Sequence, residues 1–168
     1  MNYQPVSHRF APKNLVVFQV SCYHLFMTKN KKSFDEKEKA AIKEALAGKL
    51  RQHPEILFAY LHGSFLTREV SNDIDLALYL QTKPDSVLDY ELNMEVILTN
   101  SVPGIPVDVR VLNGAPLSFQ YNVIKEGIPI LVNDENERAE FQERTIKYYF
   151  DFAPFRKRYL KEVFRIAI

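Results

Sequence analysis

Apolar positions recur along this chain in two rhythms. Glu55 to His62 and Ile74 to Leu80 are short, nearly continuous apolar and aromatic runs without internal Gly or Pro, and Val107 to Leu112 alternates apolar with polar. These are strand patterns. Between them Ile42, Ala45, Leu46 and Leu50, and later Val87, Leu88, Leu92, Val96 and Ile97, return at helical spacing. Ser33-Phe34-Asp35-Glu36 reads as a capping box opening the first helix, which runs to about Gln52 and stops at His53-Pro54. Ser64 to Glu69 is expected as a short helical turn, Val70 to Asp73 as a connection, and Asp85 to Asn100 as a helix. After the break at Pro103-Gly104-Ile105-Pro106 and the strand beyond it, Asn113 to Pro116 turns into a helix ended by Gly127. Ile128 to Asn133 is a short strand, placed at a sheet edge because Pro129 lacks a donor. A long helix then starts at Asp134, with an apolar face of Phe141, Ile146, Tyr149 and Phe150, and Pro154 is expected to kink or split it. The prediction is a single α+β domain, a mixed β-sheet flanked by helices, over residues 31–168 with a C-terminal helical segment. Residues 1–30, including an apolar strand from Leu15 to Val20, form an N-terminal extension of unclear role.

Composition narrows the partners rather than the fold. The chain has 168 residues, 46% of them hydrophobic, and its 12 Phe and 9 Tyr are ample for a buried core. Its 22 basic and 21 acidic residues leave a net charge of +1, so no global field draws it to nucleic acid or membrane and a charged ligand must be held locally. One cysteine, Cys22, excludes an internal disulfide framework and fits a reducing cytoplasm, where it is expected to be buried and unreactive. Leu15 to Met27 mimics a signal-peptide core but has no small-residue cleavage site and is interrupted by His24. Met27, ahead of a polar stretch, would also serve as a start.

The chemistry concentrates between Leu61 and Leu80, LHGSFLTREVSNDIDLALYL. A strand ends in Gly63-Ser64, and beyond a short polar segment Asp73-Ile74-Asp75 opens the next strand. Two carboxylates two residues apart in extended chain project from one face, within reach of one hard cation. Asp108, isolated on a later strand, completes a three-carboxylate cluster if the strands are neighbours. Such a cluster suits one or two Mg²⁺ ions and a triphosphate, with Asp108 orienting or deprotonating an attacking hydroxyl. Gly63 and Ser64 would hold the phosphates, because glycine lets backbone N–H groups approach an anion closely.

Each piece alone has a blander reading. Most Gly-Ser pairs are turns, and a lone D-x-D or strand Asp is ordinarily solvated. The combination is what points to a site. Arg68 reads as a solvated loop arginine, His62 as a strand-end residue packing near the site, and His53 as the helix stop. Tyr148, Tyr149, Phe150, Phe152 and Phe155 are expected to be mostly core, with an exposed subset beside Arg156, Lys157 and Arg158 available to a partner.

Gly63, Ser64, Asp73, Asp75 and Asp108 resemble, position by position, the signature of the minimal nucleotidyltransferases of the DNA polymerase β-like superfamily. VDVRVLNGAPLSFQYNVIKEGIPILVND is similar to that family's third-Asp strand, N-x-A-P turn, helix and strand, and FQERTIKYYFDFAPFRKRY to the tail of its MntA antitoxin branch. The likeness covers roughly residues 34–160. It departs in the eight residues between Ser64 and Asp73, a shortened connection, in Asn72 where serine is common, and in Arg110 and Val111. The resemblance implies a nucleotidyltransferase fold and Mg²⁺-dependent transfer of a nucleoside monophosphate, usually AMP from ATP. In the antitoxin branch the acceptor is a tyrosine of a partner HEPN toxin. Two alternatives stay open: an antitoxin that only masks its toxin, and a transferase acting on a small hydroxylated molecule such as an aminoglycoside. Self-association is open as well.

Overall fold

The computed structural model describes residues 32–102 and 104–164, so the expected Leu15 to Val20 strand, the signal-like run and Cys22 lie outside the described residues. Four strands form the main sheet: β2 (Ile56–His62), β4 (Ile74–Leu80), β5 (Val107–Val111) and β6 (Ile128–Val132), in the order β5-β4-β2-β6. β2 runs antiparallel to β4 and β6, and β4 runs parallel to β5, so the sheet is mixed. The helix that crosses between the parallel pair is α3 (Val87–Thr99). The other helices are α1 (Glu36–Leu50), the one-turn α2 (Ser64–Thr67), α4 (Leu117–Glu126) and α5 (Glu135–Phe164). None of them is long and apolar enough to cross a membrane.

The pleat sorts the apolar runs onto two faces. Ala59 and Leu61 of β2, Leu76 and Leu78 of β4, and Val109 and Val111 of β5 pack with Leu46 and Leu50 of α1 and Met94 and Leu98 of α3. On the other face Phe58, Tyr60 and Ala77 meet Val123 of α4 and Phe141 of α5. The Tyr60 hydroxyl, buried there, accepts from Arg138 Nη1 at 3.0 Å and Gln142 Nε2 at 2.8 Å, which ties α5 to the sheet.

Strand β5 is an edge, and α3 covers it. The outward N–H groups of Val107, Val109 and Val111 donate to Thr99 Oγ1 (3.0 Å), Glu95 Oε1 (3.3 Å) and Glu91 Oε1 (2.8 Å). Four helical residues rise about 6 Å and two strand residues about 6.6 Å, so side chains spaced by four on α3 match alternate N–H groups of β5. That removes an open edge.

Four local expectations are corrected. The capping box forms two residues later, on Asp35 and Glu38: Asp35 Oδ1 accepts from the Glu38 N–H at 2.7 Å and Glu38 Oε2 from the Asp35 N–H at 3.0 Å. Ser33 is unavailable because it belongs to β1 (Lys32–Ser33), which pairs antiparallel with β3 (Val70–Ser71) inside the segment expected to be a plain connection. Pro154 does not split α5, which continues to Phe164. The aromatic cluster on that helix is not core either: Tyr148, Phe150, Phe152 and Phe155 are all more than half exposed. Buried contacts on α5 are made in its first half, by Phe141 and Thr145, and the helix then runs on beyond them. Tyr149, less exposed, stacks on Tyr121 of α4 with ring centroids 3.7 Å apart.

Candidate active site

Strand register builds the site. His62 of β2 pairs with Asp75 of β4, and Asp75 pairs with Asp108 of the parallel β5. Directly paired residues share a face. His62, Asp75 and Asp108 therefore form a row across three adjacent strands, with Asp73 just before β4.

Gly63 is the other half of the construction. Its φ of +78° turns the chain from β2 into α2, and the Asp75 carboxyl group lies directly over it: a Cβ there would stand 2.8 Å from Asp75 Cγ. The Ser64 backbone N–H lies near the Asp75 carboxylate and favours its charged form. Ser71 Oγ donates to the Asp73 carbonyl at 2.7 Å, so the Ser64 hydroxyl, 2.8 Å away, donates to Ser71. The Gly-Ser turn is thus locked to both aspartates of the D-x-D. Beside it lies a cavity of about 430 Å³ lined by Ser64, Arg68, Glu69, Val70, Ser71 and Asn72, with Asn72 Oδ1 buried and unpartnered. The shortened connection, drawn into the β1–β3 ribbon, forms the wall of this cavity.

Burial, together with the nearby charges of Asp73 and Asp108, pushes the Asp75 carboxyl up to about 6, against the opposing Ser64 N–H and Arg110. Burial and a hydrogen bond with Asp108 likewise raise Glu95 of α3. Burial lowers the His62 imidazole despite Asp108 and Glu126; the ring packs edge-on against Phe119 at 5.6 Å, with Nε2 buried and unpartnered.

The backbone brings the three carboxylates together, but the side chains are not closed around a common point. Among the described residues no three His, Cys, Asp or Glu groups stand ready to hold a metal ion. Asp108 is turned instead toward Arg110, whose Nε is 3.6 Å from its Oδ1, and toward Glu95. The donor set nevertheless fits a hard divalent cation: it is all oxygen, it crowds anions until one resists ionisation, and the missing Cβ of Gly63 leaves Asp75 room. Glu91, Glu95 and the engaged Arg110 are site neighbours that single-strand reasoning misses. Their signal is Glu91, Glu95 and Thr99 spaced by four along one side of the helix.

The raised Asp75 carboxyl makes a stability prediction for the metal-free protein. A carboxyl held near 6 in the fold and near 3.8 when unfolded contributes stability that is complete below 3.8 and lost as pH rises through 6. Asp75→Asn removes that dependence. Melting temperatures measured between these limits and neutrality should separate, with the variant ahead by a few degrees at pH 7, about 1 kcal/mol after allowance for solvent screening of a half-buried group.

A mixed sheet that sets a Gly-Ser turn over a D-x-D, with a third aspartate on the parallel neighbour, defines a nucleotidyltransferase. The family model for polymerase beta nucleotidyltransferases matches residues 44–136, and the chain belongs to that family. Solved structures share the fold. One is the tri-AMPylated Shewanella oneidensis HEPN toxin in complex with MNT antitoxin, at a TM-score of 0.63 and 20% identity over 75% of this chain and 98% of that one. Another is a toxin–antitoxin with AMP-PNP, at 0.63 and 21% over 73% and 98%. A third is the MntA–HepT toxin–antitoxin, at 0.61 and 20% over 74% and 98%. No curated protein matches the sequence.

Proposed function

We propose that this protein transfers AMP from ATP to a hydroxyl of a partner protein, a tyrosine of a HEPN-type toxin. The observation that carries the reading is the register of Asp75 with Asp108 beside Gly63. Asp73, Asp75 and Asp108 would hold Mg²⁺, two ions in the full site, which when bound would neutralise the triphosphate and acidify the attacking hydroxyl. Gly63 and Ser64 position the β- and γ-phosphates, with the adjoining cavity and Arg68 on that side. The Asp108 side chain is 39% exposed, so the acceptor reaches the site at Asp108. There Asp108 orients the acceptor hydroxyl and takes its proton. The acceptor oxygen bonds to the α-phosphorus, the bond to the β-phosphate oxygen breaks, and pyrophosphate leaves.

The solved complexes support this partner: one holds a tri-AMPylated HEPN toxin with an MNT antitoxin, and another is the MntA–HepT toxin–antitoxin. Incubating the protein with labelled ATP, Mg²⁺ and the product of the neighbouring gene should leave a covalent label on a tyrosine. Neutralisation of the toxin with no label would instead support an antitoxin that acts by masking.

A further inference from the structure

Arg110 follows Asp108 by two residues on the same face of β5, and its guanidinium bridges two carboxylates. Nε lies 3.6 Å from Asp108 Oδ1 and Nη1 lies 3.5 Å from Glu91 Oε2. The two ends differ. The Glu91 side chain is 10% exposed and its other oxygen accepts the Val111 N–H at 2.8 Å, so it is anchored to the covered strand edge. The Asp108 side chain is 39% exposed and held at longer range. Glu95, one helical turn from Glu91, lies close to Asp108 as well. Asp108 is thereby drawn toward α3, although its backbone is in register with Asp75.

We propose that Arg110, braced by Glu91, is a positioning residue that competes with divalent metal for the Asp108 carboxylate and so sets how much metal the site needs. This inference rests on the metal-dependent reading above. Crowded carboxylates on neighbouring strands repel one another, and a fixed guanidinium relieves that repulsion while the metal is absent. A divalent ion arriving at Asp73 and Asp75 must then take Asp108 from Arg110 and bind beside a resident positive charge. Both effects weaken metal binding. The arginine keeps the empty site folded at the cost of its affinity for metal.

The test is a titration of the full, nucleotide-free chain with Mn²⁺, free metal being read by electron paramagnetic resonance at constant ionic strength and mildly alkaline pH. Arg110→Met keeps most of the stem and deletes the charge, and it should tighten Mn²⁺ binding by about tenfold. Arg110→Gln should do the same and serves if the first variant melts early, whereas Arg110→Lys should stay near the parent. Unchanged or weaker binding in both neutral variants would overturn the inference while Mn²⁺ binding that Asp73→Asn with Asp75→Asn abolishes leaves the metal site standing. No Mn²⁺ binding by the parent protein would overturn the metal-dependent reading, and the inference with it.

Discussion

Replacing Asp73 and Asp75 together by asparagine is expected to remove AMP transfer, lowering the rate by about 10³-fold or more, while the protein keeps its fold. Asparagine preserves the shape of each side chain and removes only the charge a hard cation needs. Folding is not the route of the loss, because ionised Asp75 is disfavoured by its own surroundings: burial, Asp73 and Asp108 all oppose its charge. The double variant should therefore melt at or above the parent's temperature at neutral pH. Transfer kinetics and a thermal melt on one preparation check both halves. A lower melting temperature with proportional loss of activity would mean that the aspartates are structural.

Gly63→Ala is expected to be nearly as damaging by a different route. Gly63 has φ +78°, where an L-residue is strained by roughly 1–2 kcal/mol. The added methyl would also lie 2.8 Å from Asp75 Cγ, so the carboxyl group must shift from its place over the turn. Activity should fall by about 10²-fold, more than the stability loss explains, since a displacement of about 1 Å in a reacting group has an effect of that size. Gly48 is the control. It lies within α1 with nothing inside 4 Å of the place a methyl would take, so Gly48→Ala should leave transfer unchanged and stabilise the helix slightly. Equal effects of the two alanines on transfer would contradict the proposed cradle.

Much of this site is legible in the sequence because strands with a buried face have strict patterning. The runs through Leu61 and Leu76 and the alternation of Val107, Val109 and Val111 predict β2, β4 and β5 close to their observed limits, and the alternation places Asp108 opposite the apolar face of its strand. Pairing between β4 and β5 is only a conditional expectation, since no local signal states which strands are neighbours. The capping box shifts by two residues because Ser33-Phe34-Asp35-Glu36-Lys37-Glu38 contains two overlapping candidates, and pairing of Ser33 with Val70 decides between them. Pro154 reads as a kink or a split because proline removes a helical donor. The exposed second half of α5 carries it without interruption. The turning of Asp108 toward Arg110 and Glu95 depends on α3 packing along the edge of β5, a tertiary fact invisible in either segment alone.

The central claim is tested most directly by the mass of the acceptor. The product of the neighbouring gene, incubated with the purified chain, ATP and Mg²⁺, should gain the mass of one or more AMP groups on a tyrosine, with none gained when the Asp73→Asn, Asp75→Asn chain is used. An acceptor whose mass stays unchanged with the parent chain while its toxicity is still neutralised, or one modified equally by the double variant, would contradict the account.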